Sequence, residues 1–297
     1  MDNILILQKA IYIGSWLVFP FILYIFWSYK KHKNRLNLFW YGFLFIGALT
    51  FIWARFIEPQ IITIHHHQIK VGLKAKIVVF SDIHLGIFKK KDFLQRVVKK
   101  INQLEGIEAV FIAGDFTYNP ETDLNILFAD LGKIKVPVYA VLGNHDSQAP
   151  GPKIHKALKA ALSEQKVIFL HNQVAEFKDF KIIGLGSKWA GEDQLTLLNG
   201  YKKEDKILVL LHNPSSTLNY SQQNAQAVNL TLAGHTHGGQ IRLPFIYRWI
   251  LEAGFDGFDK DLHQTPNGAV FVSSGMGEIG LPLRFLIPPV IDVLTLE

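Results

Sequence analysis

Two long runs without a charged side chain constrain this chain more than any other feature. The first covers twenty residues, Ala10 to Tyr29, and the second nineteen, Leu36 to Ala54. Each approaches the roughly 20 residues that carry a helix across the hydrocarbon core of a bilayer. Between them lies Lys30-Lys31-His32-Lys33-Asn34-Arg35, short and charged enough to be only a tight hairpin connection. Trp16, Trp27, Trp40 and Trp53 fall in this segment, three near helix ends, where an interfacial belt would place them. Pro20, inside the first run, is tolerated in membrane helices. Two buried core helices are the alternative. A cleaved signal peptide fits less well, because no small-residue cleavage site follows Lys30 and a second apolar run does. Residues 1–60 therefore read as a two-helix transmembrane hairpin, and residues 61–297 as a separate domain. The positive loop should stay cytoplasmic, which puts the N-terminus and the domain on the extracytoplasmic side. Arg55, Lys70 and Lys74 pull weakly the other way.

Charge and composition narrow the rest. The net charge of +6 would suit a nucleic-acid partner, but its distribution does not. Six Lys/Arg against Asp2 and Glu58 give the first sixty residues +4, leaving 25 basic against 23 acidic groups in the remaining 237. No nucleic acid is expected. The 49% hydrophobic content excludes a disordered chain. The absence of cysteine excludes disulfides, thiolate metal sites and a thiol nucleophile.

From about Ile61 the chain alternates between strands and helices. Strands are predicted at Lys76–Phe80, Ala109–Ala113, Val138–Leu142, Lys181–Leu185, Ile207–Leu211, Leu230–Ala233, Ala269–Ser273 and Ile291–Leu296. Apolar residues at three- and four-residue spacing predict helices over Lys91–Leu104, Leu124–Leu131 and Ile154–Leu162. Early strand spacings near thirty residues match βαβ units. The later strands, with less helix between them, predict a second and more antiparallel sheet.

Five motifs sit where those strands end: Ser81-Asp82-Ile83-His84, Gly114-Asp115, Gly143-Asn144-His145-Asp146, Leu211-His212-Asn213-Pro214 and Gly234-His235-Thr236-His237-Gly238-Gly239-Gln240. In open α/β sheets, the carboxyl ends of strands border the ligand crevice. Asp82, His84, Asp115, Asn144, His212, His235 and His237 would thus meet at one edge. Oxygen and imidazole donors without sulfur suit Mn, Fe, Zn or Co. Seven donors exceed one tetrahedral ion and suit two divalent ions sharing a carboxylate, an arrangement that clamps a phosphoryl group and activates water. A lone Asp-x-His or Gly-Asp is commonly a plain turn; all five in order, each ending a strand, are not.

These blocks resemble those of the calcineurin-like metallophosphoesterases over about Lys76 to Leu296. The Gly238-Gly239-Gln240-x-x-x-Pro244 extension and Ser274-Gly275-Met276-Gly277 resemble the bacterial membrane-associated branch. The resemblance implies an α/β fold, a four-layer αββα sandwich, here following the hairpin. It implies one metal held by Asp82, His84, Asp115 and His237, the other by Asp115, Asn144, His212 and His235, with Asp115 bridging. His145 would stand off the metals and protonate the leaving oxygen. Asn229, where the branch often has an acidic residue, is a departure that touches no expected ligand.

The residues themselves fit that assignment. A hydroxide between two ions can attack phosphorus in line, so no side-chain nucleophile is required. An imidazole can then return a proton to the leaving oxygen. The expected function is a membrane-anchored phosphoesterase of a bacterial inner membrane, acting on phosphate esters that include lipid-linked or amphiphilic ones. Alternatives are a cytoplasmic UDP-2,3-diacylglucosamine pyrophosphate hydrolase and a catalytically silent binding module on the same fold. The expected topology counts against the first, and the complete donor set against the second. His65-His66-His67 has no carboxylate adjacent in sequence and reads as solvated strand or linker; Lys89-Lys90-Lys91 reads as a solvated face. Leu243–Leu251 and Leu281–Pro289 are apolar, Pro-punctuated runs with one Arg each. They would either pack as core or form a lipid-dipping rim with Arg248 or Arg284 facing phosphate.

Overall fold

The computed structural model describes residues 2–32, 35–147 and 154–297; Lys33 and Asn34 of the expected hairpin loop lie outside them. Helix α1 (Asp2–Gly14) passes through one 3-10 turn into α2 (Val18–Lys31). Pro20 falls in the first turn of α2, where its missing N–H has no intrahelical partner to lose. Helix α3 (Arg35–Ile52) runs on through a π turn (Trp53–Ile57) and a 3-10 turn (Glu58–Gln60). Helical stretches of 29 residues (Asn3–Lys31) and 24 residues (Asn37–Gln60) are both long and apolar enough to cross a membrane. Large apolar side chains are exposed around both, including Trp16, Leu23, Trp27, Phe39, Trp40 and Ile46. That all-round exposure marks helices meant for a non-aqueous surrounding. The two rods pack through Phe26–Phe45 and a 2.7 Å hydrogen bond between the Ser28 and Tyr41 hydroxyls.

The remainder alternates as follows. Strands β1 (Thr63–Ile69), β2 (Ala75–Phe80) and β3 (Leu85–Gly86) precede helix α4 (Lys91–Ile101). Then come β4 (Ala109–Ala113), β5 (Thr117–Tyr118), α5 (Leu124–Phe128), β6 (Val138–Val141), α6 (Asn144–Ser147) and α7 (His155–Glu164). Strands β7 (Val167–Phe169), β8 (Gln173–Phe177), β9 (Phe180–Gly184) and β10 (Ile207–Leu210) lead to α8 (Gln222–Ala227) and β11 (Val228–Ala233). Helix α9 (Ile246–Phe255), β12 (Asp261–Thr265), β13 (Gly268–Val272) and β14 (Val290–Leu296) complete the chain.

Two six-stranded sheets form, in the orders β1-β14-β2-β4-β6-β7 and β12-β13-β11-β10-β9-β8. They face each other through Ile77, Val79, Phe111 and Leu294 on one side and Ile182, Leu208, Leu230 and Phe271 on the other. Helices α4, α5 and α7 cover the outer face of the first sheet with Phe93, Leu94, Phe128 and Leu158. The outer face of the second is covered by a thinner layer of 3-10 turns and α8, contributing Leu198 and Tyr220. This is the four-layer αββα arrangement. The second sheet is the more antiparallel of the two, as expected, but only at its edges: β9, β10, β11 and β13 run parallel while β8 and β12 pair antiparallel, against the single antiparallel pair β14-β2 in the first sheet.

The histidine run is strand with His65 and His66 exposed, as expected, whereas the lysine run departs from expectation at its first residue. Strand β1 carries the histidine run, and its parallel pairing with β14 sets Asp292 opposite His65, supplying the carboxylate missing from the local sequence. Lys89 is buried rather than solvated. Its ammonium donates to the Pro59 carbonyl and lies 3.1 Å from Glu278. Burial pushes its pKa down to about 8. Glu58 likewise accepts from the Ile287 N–H (2.5 Å) and the Trp53 indole (2.7 Å), and the Arg284 N–H donates to the Ala54 carbonyl (2.9 Å). The last turns before β1 are thus fastened to the loops beneath the site by groups that would otherwise be buried unpaired.

Candidate metal centre

Strands β2, β4, β6, β10 and β11 each end in one of the five motifs, and their parallel ladders (β2-β4-β6 and β10-β11) align those ends. Glycines let the turns interlock. A Cβ on Gly143 would fall 1.9 Å from an Asp115 oxygen, and one on Gly234 would fall 2.4 Å from the Ser81 hydroxyl. Asp82, His84, Asp115, His235 and His237 all hold left-handed backbone, with φ from 47° to 73°. Such a conformation costs a non-glycine residue about 1–3 kcal/mol and persists only where its surroundings impose it. Five of the seven proposed donors share it.

All seven come together. Asp82, His84 and His237 form one group and Asp115, His212 and His235 another, each with donor atoms within 4.8 Å of one another. Asp115 Oδ2 faces both, 3.5 Å from His84 Nε2 and 3.2 Å from His212 Nε2. Asn144 Oδ1 lies 3.0 Å from His212 Nε2. His84 Nδ1 and His212 Nδ1 lie 3.2 Å and 2.7 Å from the Thr117 and Ala113 carbonyls. A carbonyl can only accept, so both Nδ1 atoms carry hydrogen, which leaves Nε2, once it has given up any proton of its own, to turn a lone pair inward, as ligating histidines do. Asp82 Oδ1 is buried with no hydrogen-bond partner, 3.5 Å from His237 Nε2. A buried orphan carboxylate oxygen among inward lone pairs fits a cation.

The titration behaviour agrees. Burial, with Asp115 adding to it, pushes Asp82 up to about 6. Burial pushes His84 and His235 down to about 3. Burial acts to raise Asp115, but His212, His145 and His84 together hold it well below the ordinary carboxylate value. Burial acts to lower His212, yet Asp115 and Asp82 lift it to about 9. Without metal, His212 therefore carries a proton at pH 7 where a cation would sit. Uptake of ions must displace it, so affinity should climb with pH toward 9, with a further loss below about 6 as Asp82 takes a proton. Calorimetry at pH 7 in two buffers of different ionisation enthalpy should show about one proton released from His212 on filling the centre; no release would contradict this.

His145 is buried beside the cluster. Its N–H donates to Asp115 Oδ1 (3.0 Å), and its ring lies 5.1 Å from that of His84 and 5.2 Å from that of Tyr118. Asp146 accepts from the N–H groups of Phe116, Thr117 and Gly143 and from the Thr117 hydroxyl, tying the β4 and β6 loops together. Asn229, at the far end of β11, accepts from Ile207 N–H and donates to the Val71 carbonyl. A cleft of about 970 Å³ lined by Lys70, Lys202, Lys203 and Lys206 lies at that same amino end, away from the metal donors.

Sequence reasoning missed several neighbours. Tyr118 packs on both His84 and His145. Trp189, in the loop after β9, lies 4.6 Å from the His235 ring, and the strand-end rule could have located it. Phe255 closes on His235 at 5.3 Å. Arg284 does not face lipid phosphate. It is fully buried, donating to the carbonyls of Gly277, Ile287 and Ser274, with its guanidinium 3.4 Å from His237 Nδ1. The first apolar run is divided: Phe245 is 94% and Trp249 69% exposed, while Leu251 is buried.

A family model described as calcineurin-like phosphoesterase matches residues 75–239. The Bacillus subtilis (strain 168) metallophosphoesterase YkuE is 32% identical over 279 residues, covering 86% of this chain and 94% of its own. A metallophosphoesterase of Helicobacter pylori (strain ATCC 700392 / 26695) is 28% identical, covering 90% of this chain and 72% of its own. A Danio rerio protein described as a transmembrane protein with metallophosphoesterase domain is 29% identical, covering 70% of this chain and 50% of its own.

Proposed function

The chain belongs to the calcineurin-like phosphoesterase family, and from that premise we propose a membrane-anchored phosphoesterase with two divalent ions that hydrolyses amphiphilic phosphate esters drawn from a bilayer. The observation that carries the reading is the convergence of two His/Asp groups on Asp115 Oδ2. Asp82, His84 and His237 would hold one ion, Asn144, His212 and His235 the other, and Asp115 both. Such a pair supplies Lewis acidity to a phosphoryl group and acidifies water to near-neutral pH. The protein's own residues do the rest. Asp115 and Asp82 set the charge of the pocket. His145, held by its N–H on Asp115, donates a proton to the leaving oxygen. Tyr118, Trp189 and Phe255 pack around the histidines and limit the entry of bulk water.

The membrane reading rests on where α1 touches the domain. Tyr12 stacks on Phe88 at 5.5 Å, Lys9 pairs with Glu121, and the Gln8 side chain reaches the Tyr118 hydroxyl. These contacts support a reading in which the N-terminus and the domain share one side. Arg55 bonds Ser15 (3.0 Å) and caps the Tyr12 ring, a polar level expected at a headgroup boundary. Gln8 stands seven residues above Ser15, about 10 Å at 1.5 Å per residue. Through Tyr118 that level reaches His145 and His84 directly. The positive loop favours a domain outside the cytoplasm; a periplasm-active reporter fused after Glu297 should be active, and an active cytoplasmic reporter would reverse the orientation.

The test uses the full chain, manganese-loaded, in vesicles. One phospholipid-like phosphate ester is supplied either in the bilayer or as a short-chain soluble analogue. Both should be hydrolysed. Phe245→Asp and Trp249→Asp should depress only the bilayer reaction, by tenfold or more, since burying such a side chain is worth roughly 1.5–3 kcal/mol. Failure of the folded, loaded protein on either substrate would overturn the phosphoesterase; equal loss on both substrates would overturn the rim.

A further inference from the structure

We propose that His65, His67 and Asp292 form a separate divalent-cation site at the edge of the first sheet, taking an imidazole-preferring ion such as Zn²⁺, Cu²⁺ or Ni²⁺. His65 and His67 are two residues apart on β1 and so project from the same face of the strand. The parallel register sets Asp292 of β14 opposite His65. One donor atom from each of the three lies within 4.8 Å of the other two.

Each partner is held for the task. Asp292 is 2% exposed, and its Oδ2 accepts from the Ser273 hydroxyl at 2.9 Å, which fixes the carboxylate plane. Its Oδ1 faces His67 Nε2 at 3.3 Å, long for a hydrogen bond between such groups. The His67 ring is steadied edge-on by Phe271 at 4.9 Å. His65 is exposed and leaves an entry path from solvent. Two imidazoles and one carboxylate, with the remaining positions open to water, favour Cu²⁺ and Zn²⁺ over Mn²⁺. Among the described residues, strand β1 is an edge strand paired only with β14. An ion there would cross-link the two strands just after the chain leaves its membrane-proximal turns, and would stabilise the folded state by mass action.

The experiment counts zinc on the full chain in detergent by equilibrium dialysis and elemental analysis, comparing the native protein with the double variant His65→Gln/His67→Gln. The native chain should bind one more Zn²⁺ than the variant, and zinc should raise its unfolding temperature further. Hydrolysis of an aryl phosphate by the variant should be unchanged. Because the readout is a difference, it holds whatever the catalytic centre contains. Equal zinc counts and equal thermal shifts would reduce the trio to an ordinary His–Asp pair. If the double variant does not fold, His65→Gln decides: a dissociation constant for this ion weakened roughly tenfold or more supports the site, and an unchanged one overturns it.

Discussion

Asp115→Asn should empty most of both metal positions while the protein stays folded. The reason is geometric: a single oxygen, Oδ2, lies 3.5 Å from His84 Nε2 in one donor group and 3.2 Å from His212 Nε2 in the other. The amide keeps the size and the acceptor for the His145 N–H but removes the charge that lifts His212 to about 9. Each donor group would then face its ion with one negative charge fewer. Because metal assistance is worth several kcal/mol, activity should fall by about 10³-fold or more. Asp82→Asn, which alters one group only, should chiefly empty that one. Elemental analysis beside circular dichroism separates metal loss from unfolding. A folded Asp115→Asn protein that retained both ions would remove the bridging role and with it the reading of the centre.

The convergence of the candidate donors was legible because the signal was local and repeated. Asp82, Asp115, Asn144, His212 and His235 each follow an apolar strand, and parallel strands bring their carboxyl ends to one edge. What stayed hidden depends on distant partners. The apolar stretch around Arg284 is the same string of letters whether lipid or protein surrounds it. Only the carbonyls of Gly277, Ser274 and Ile287 decide for burial. Lys89 is likewise indistinguishable from its neighbours until Glu278 and Pro59 arrive. The parallel strands inside the second sheet stayed hidden for another reason. Helix was sought between parallel strands, yet the crossover from β9 to β10 is made by 3-10 turns alone, whose pattern is too short to read. The left-handed backbone of five donors has no compositional signature, since aspartate and histidine are poorer markers of positive φ than glycine.

Burial of the membrane-proximal turns also changes how the domain can be handled. Removing residues 1–60 would strip Pro59 from Lys89, Glu58 from the Ile287 N–H and Ala54 from the Arg284 N–H. Arg284 braces the loops around His237, so the N-terminal helices and the candidate metal centre share a support. Functional comparisons therefore belong on the full chain.

On that full chain, His145→Gln should keep both ions and the fold while losing activity in proportion to how poor the leaving group is. His145 hangs from Asp115 by its backbone N–H, not its ring, so the substitution leaves that 3.0 Å hydrogen bond in place. Its ring packs against those of His84 and Tyr118 beside the cluster, within reach of a leaving oxygen bound there. Proton donation of this kind is worth roughly 10²–10⁴-fold when the leaving alkoxide is strongly basic. An activated aryl oxide leaves without a proton and gains little from the donor. Rates on an alkyl ester should drop by about that factor, and rates on the aryl ester by about tenfold or less. A structural role would lower both substrates alike. Equal losses would therefore assign His145 to positioning and leave the source of the proton to another group.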